Sequence, residues 1–269
     1  MSEMKRFDLM TEIMAELAPE IEAARPASQD HVQAAPRLGR PPLSQVLADY
    51  LPLPREALFL GVAADQLPVL LNLLDPVPGP ILIVGDQGCG KTSFLQVIAK
   101  SVDIIHSPRD VQYGVITEHP EEWDGLGGTP NCVEVFPAHQ NAAQDFLNSL
   151  AGWAHSNRGD KQTVLLLIDD LSAISKMDFD ARQNLRWLLL RGTTRRVWPI
   201  VTVNPKQLME VNPWLDFFHT RLFGKMENSG EAEQLAGSSN MQFNSLGAES
   251  DFLMREGADW LKFWIPALD

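Results

Sequence analysis

From Pro42 onward, short apolar runs alternate with longer stretches whose apolar residues recur every three to four positions. That alternation predicts a mostly parallel sheet covered by helices. Strands are predicted at Leu58–Val62, Val69–Leu73, Ile81–Val84, Gly114–Thr117, Val133–Phe136, Val164–Ile168 and Trp198–Val203. Helices are predicted at Lys91–Val102, Asn141–His155, Asp178–Leu190 and Pro205–Val211. Late strands at Arg221–Met226 and Lys262–Ile265 close the domain, and the Gly/Ser/Asn-rich stretch 228–247 reads as a loop with a helical piece around Glu231–Leu235.

Before Pro42 the pattern changes. Phe7, Met10, Ile13, Met14, Leu17 and Ile21 have helical spacing with acids opposite, so residues 1–24 read as an amphipathic helix. Residues 25–42 are rich in Pro and Ala, lack periodicity and read as a linker to a domain over 43–269. A tethered amphipathic helix docks on its own core, binds a neighbouring subunit or another protein, or stays disordered.

Composition narrows the class. The chain has 269 residues, 45% of them apolar, enough for one large domain with a full core. No apolar run approaches the ~20 residues of a transmembrane span, and acids stand where a secretory signal needs cations. A cytoplasmic location is expected. Cys89 and Cys132 form no CxxC pair, and the six histidines have no ligand spacing, which argues against a structural metal or a disulfide framework. A net charge of −13 argues against a surface that coats nucleic acid. One segment is locally basic: Arg182, Arg186, Arg191, Arg195, Arg196 and Lys206 lie in a stretch without acids.

The strongest chemical signal follows the Ile81–Val84 strand. Gly85-Asp86-Gln87-Gly88-Cys89-Gly90-Lys91-Thr92 fits the phosphate-loop pattern, and the helical stretch from Ser93 continues it. Glycines let the backbone wrap a phosphate and aim N–H groups at it, while the helix adds its positive end. Lys91 is expected on the β and γ oxygens and Thr92 on magnesium; residues 85–93 together form the predicted ATP site. Cys89 is either a small filler or a redox-sensitive thiol activated by Lys91 and the helix end.

Val164–Ile168 ends in Asp169-Asp170 and resembles a Walker B strand. Asp169 is expected to hold Mg2+ and Asp170 to polarise the attacking water. Thr202 and Asn204, at the end of the following strand, are alternative sensors of the γ-phosphate. Two strand candidates and a helix between Lys91 and Asp169 can supply a strand inserted between the P-loop and Walker B strands. The fold class predicted is therefore α/β, a P-loop NTPase of the additional-strand, RecA-like kind. The absence of NKxD favours ATP over GTP.

Further segments resemble the FtsK–HerA superfamily, in particular FtsK-like and type VII secretion EccC-like ATPase domains. Gly61–Leu74 with Gly79-Pro80-Ile81-Leu82 is similar to the family's lead-in strands. Phe217-Phe218-His219-Thr220-Arg221-Leu222-Phe223 resembles its TRI-F strand, and Ser229–Gly237 its gAe-LlG helix and turn. The departures are Val203 where Gln often follows Thr, and Asp170 where Glu is usual. The resemblance implies a homo-oligomeric ring in which one subunit lends an arginine to its neighbour's ATP, with Arg191, Arg195 and Arg196 as candidates. It implies an ATP-hydrolysing motor, with DNA the first substrate to consider. The alternatives are a slowly hydrolysing switch module, or protein export with a membrane partner.

Overall fold

The computed structural model describes residues 40–157, 162–237, 243, 246–247, 250–256 and 259–269. The predicted N-terminal helix, and all of the linker before Arg40, lie outside the described residues.

Ten strands form one sheet among the described residues: β1 (Ala57–Ala63), β2 (Pro68–Asn72), β3 (Ile81–Val84), β4 (Val111–Thr117), β5 (Cys132–Pro137), β6 (Thr163–Asp169), β7 (Val197–Val203), β8 (Thr220–Phe223), β9 (Asp251–Glu256) and β10 (Asp259–Trp264). Their spatial order is β2-β1-β10-β9-β8-β3-β7-β6-β4-β5. The six strands from β8 to β5 are parallel, and the four beyond β8 are joined antiparallel. The helices are α1 (Leu43–Tyr50), α2 (Lys91–Ile105), α3 (Asn141–Ser156), α4 (Ser172–Ser175), α5 (Phe179–Arg191), α6 (Leu208–Leu215) and α7 (Ser229–Ala236).

The central strands are apolar throughout because both faces are covered. Successive side chains point to opposite faces. Ile81 and Ile83 of β3 pack with Phe94, Leu95 and Ile98 of α2, whereas Leu82 and Val84 join Leu147, Leu185 and Val211 on the other side. Burial of this kind stabilises by about 1.5–3 kcal/mol per large side chain.

Three features differ from the pattern-based expectation. The strand inserted between β3 and β6 is β7, which follows β6; β4 and β5 lie outside β6. Predicted strand Arg221–Met226 ends at Phe223, because Gly224–Glu227 turns onto the loop after β3: Gly224 N–H donates to Val84 O, and Asp86 N–H to Lys225 O at 3.0 Å. Predicted helix Pro205–Val211 is a 3₁₀ turn over Pro205–Gln207 that continues as α6.

Candidate nucleotide site

Strand alternation decides which polar groups meet. In β6, Leu165 and Leu167 face α2, so Asp169 faces α2 as well. In β7, Trp198 and Ile200 face the same side, and Thr202 continues their row. Thr92 stands in the first turn of α2. Its hydroxyl donates to Asp169 Oδ2 at 2.9 Å, and the Thr202 hydroxyl donates to Asp169 Oδ1 at 3.0 Å. Three residues far apart in sequence thus form one hydrogen-bonded chain at the carboxyl edge of the sheet.

The loop before α2 is open toward an anion. Gly88 and Gly90 have φ of 76° and 90°, in the left-handed region that favours glycine. A side chain at Gly88 would meet nothing within 4 Å. Gly90 caps α2 without any side-chain hydrogen bond, so the first N–H groups of a fifteen-residue helix have no capping side chain. Lys91 Nζ folds back to Gly85 O at 2.7 Å and Asp86 O at 2.9 Å. Asp86 points away from the loop's concave face and accepts from Glu227 N–H at 2.7 Å. Gln87 is exposed, and Ser93 is half-buried.

Cys89 is 2% exposed, wedged against Gly85 and Gly224. Burial pushes its thiol up, and the opposing pull of Lys91 does not overcome it. The side chain packs the loop from behind, and the activated-thiol alternative loses its physical basis.

Asp169 is 9% exposed and, among the described residues, has no ion pair. Burial pushes its carboxyl up, against the hydrogen bonds from Thr92 and Thr202; Glu122 adds to the rise and Lys91 opposes it. A buried acid without a counter-charge is the group a divalent cation would stabilise. Thr92 and Asp169 supply two oxygens, which suits Mg2+, since that ion keeps waters and phosphate oxygens in its remaining positions. The residues present therefore fit a magnesium-bound triphosphate.

Asp170 has φ of 78°. Its N–H donates to Thr202 Oγ1 at 2.7 Å, and its Oδ1 accepts from Ser172 N–H at 2.9 Å. Asn204 caps the following 3₁₀ turn by accepting from Lys206 N–H at 3.1 Å. Gln207 on that turn donates to Ser172 Oγ at 3.0 Å, and its side-chain oxygen is buried without a partner.

The basic segment lies at the other end of the molecule. β3 and β7 are parallel, and Arg191, Arg195 and Arg196 precede β7, so they sit at the amino edge. A strand of this length separates them from the phosphate loop by roughly 20 Å. Arg195 donates to Asn157 O at 3.0 Å, and Arg191 is exposed. Arg221 spends its guanidinium on the main-chain oxygens of Phe218, Leu235 and Leu215 at 2.8–3.0 Å, tying α6 and α7 to β8.

Pattern reading missed Glu122. It stands on a 3₁₀ turn (Pro120–Trp123) after β4, and β4 pairs with β6 so that Thr117 lies opposite Asp169. A Pro-Glu-Glu-Trp sequence reads as an ordinary acidic turn; the sheet order brings it to the strand edge that carries Asp169, and Gln96 of α2 donates to Glu122 O at 2.6 Å.

No family model and no curated protein matches this chain. Solved structures do. ATPases 2 and 3 of EssC from Geobacillus thermodenitrificans superpose with a TM-score of 0.70 at 15% identity, over 89% of this chain and 48% of that one. ATPases 2 and 3 of Thermomonospora curvata EccC, in complex with a signal sequence peptide, give 0.64 at 15% identity, over 97% and 49%. The monomer form of the pCW3 conjugation coupling protein TcpA with ATPγS gives 0.62 at 14%, over 95% and 82%. These neighbours are FtsK–HerA superfamily ATPases, and the fold of this chain is that of their P-loop ATPase domains. The chain spans about half or less of the EssC and EccC structures. No described helix is long and apolar enough to cross a membrane.

Proposed function

We propose that the chain is a magnesium-dependent ATPase of the FtsK–HerA kind that works as a ring of identical subunits on a polymer, DNA before protein. The observation that carries this reading is the hydrogen-bonded chain Thr92–Asp169–Thr202 at the mouth of an uncapped glycine loop. Backbone N–H groups of residues 85–93 would bind the phosphates, and Lys91 would exchange its main-chain partners for β and γ oxygens. Thr92 and Asp169 would hold Mg2+, which when bound neutralises the triphosphate and polarises its terminal phosphorus. Thr202 would fix both acids, and Asn204 stands at the same edge as the alternative sensor. Asp170 is the carboxylate that the Walker B comparison assigns to the water.

The arginines support a ring. Arg191, Arg195 and Arg196 are too far from their own phosphate loop to act on it, so any finger among them would serve a neighbour. Arg191 and Arg186 are exposed near that edge and would offer DNA a small local basic site on an otherwise acidic chain. A second reading, protein export with a membrane partner, is favoured by the likeness to EccC, which was solved with a signal sequence peptide. The test is mass measurement with ATPγS, together with ATP hydrolysis with and without duplex DNA. An assembly larger than a dimer whose turnover rises with DNA is expected. A strict monomer excludes the motor, and a ring indifferent to DNA but stimulated by a signal peptide selects export.

A further inference from the structure

The turn that carries Asp170 is tied to the end of β7 through its main chain. Leu171 N–H donates to Thr202 O at 2.9 Å, and Asp170 N–H to Thr202 Oγ1 at 2.7 Å. The carboxylate itself takes its position from the next residue but one, because Asp170 Oδ1 accepts from Ser172 N–H at 2.9 Å. Ser172 opens α4, a helix of only four residues. A helix this short has no stability of its own and stays where its neighbours hold it.

Gln207 supplies one such hold. Ser172 is 1% exposed, and its hydroxyl accepts from Gln207 Nε2 at 3.0 Å. Gln207 closes the 3₁₀ turn after β7, with its own N–H on Asn204 O at 2.9 Å, and leads directly into α6. The contacts close on themselves: they run from Thr202 through Asp170 and Ser172 to Gln207, and return through Asn204 to the end of β7.

The other end of the Gln207 amide is unsatisfied. Its Oε1 is buried and, among the described residues, has no partner. An orphaned buried oxygen costs at least as much stability as the bond from Nε2 returns. Gln207 therefore adds little to folding, while its amide fixes where the N–H that holds Asp170 lies. A methionine has similar length and volume, and would exchange one unsatisfied oxygen, Oε1, for another, Ser172 Oγ.

We propose that Gln207 is a positioning residue for ATP hydrolysis, holding the Asp170 carboxylate in line with the attacking water by way of Ser172. The proposal rests on the ATPase reading above, in which Asp170 polarises that water. A carboxylate displaced by a fraction of an ångström loses its line on the water, so the rate falls. Phosphate and Mg2+ contacts come from the glycine loop, Lys91, Thr92 and Asp169, which the Gln207 amide does not touch. Affinity is therefore spared.

The test is a double-mutant cycle of wild type, Gln207→Met, Ser172→Ala and the double variant. It is read by steady-state ATP hydrolysis with Mg2+, ATP affinity by calorimetry and melting temperature. Ser172→Ala removes the hydroxyl and keeps the N–H that Asp170 uses. Each single variant is expected to lower kcat about tenfold, with KM and ATP affinity within about twofold of wild type. Melting temperatures should stay within about 2 °C. The double variant should also be about tenfold slower, rather than a hundredfold, because both changes break one link. A kcat within about twofold of wild type in Gln207→Met overturns the proposal alone, as do losses that multiply in the double variant. A melting temperature that falls in step with kcat makes Gln207 a structural residue and overturns it too. A wild type that binds ATP but never hydrolyses it overturns the proposal and the ATPase reading together.

Discussion

Replacing Thr202 by Val separates a structural account of the site from a purely ligand-sensing one. The side chain is fully buried, and its hydroxyl accepts from Asp170 N–H while donating to Asp169 Oδ1. Valine keeps the shape and removes both bonds, so no cavity opens. The stranded Asp170 N–H costs about 1–3 kcal/mol, and a lost bond to a charged acceptor costs about 1.5–3 kcal/mol. Asp169 keeps the Thr92 hydroxyl, which limits the sum to roughly 3 kcal/mol. For a domain of this size that corresponds to a fall in melting temperature of about 6–12 °C. Thermal and urea unfolding in EDTA without nucleotide isolate the effect from ligand binding. Thr202→Ser keeps the hydroxyl and loses one methyl, for a cost of about 1 kcal/mol. The reasoning is refuted if Thr202→Val unfolds within about 0.5 kcal/mol of wild type, or if Ser and Val cost the same.

Arg221→Ala removes one guanidinium from three main-chain oxygens, and urea unfolding should show a loss of at least about 2 kcal/mol, little of it restored by Lys, whose single ammonium cannot span them. Cys89 should resist iodoacetamide in the native protein at neutral pH and react after unfolding, as site-resolved mass spectrometry would show, because burial holds its thiol high. Burial pushes the Asp251 carboxyl up, but Arg40, the Gly247 N–H and Lys262 outweigh it and hold it below the usual range. A carboxyl depressed by folding adds stability that is present above its unfolded value of about 3.9 and lost as pH falls through the folded one. Arg40→Ala should therefore flatten the acid limb of a melting-temperature profile below about pH 4, leaving its slope above about pH 6 unchanged.

The parts legible from sequence are those whose physics is local. A glycine loop between an apolar strand and a helix is a pattern of adjacent residues, and β3 begins and ends where the pattern puts it. The apolar run of β6 likewise leads straight to Asp169. What stayed hidden depends on which strand lies beside which. β9, Asp251–Glu256, has only the three apolar residues Phe252–Met254 between Asp251 at one end and Arg255-Glu256 at the other, so its pattern is weak, and its pairing with β8 is long-range. α1 is only eight residues long and stands between prolines, too short for periodicity to declare itself. Thr202 was visible as a polar residue near a strand end, but its burial under both acids follows from the alternation of β7 beside β6. Glu122 needed the sheet order itself.

The most direct test of the central claim is calorimetric titration of ATP with Mg2+ into nucleotide-free wild type and Lys91→Ala. The account expects saturable one-to-one uptake by the wild type, and a loss of about 2 kcal/mol or more of binding free energy when the ammonium is removed. A wild type that takes up no adenine nucleotide, or a Lys91→Ala variant that binds as tightly, would contradict it.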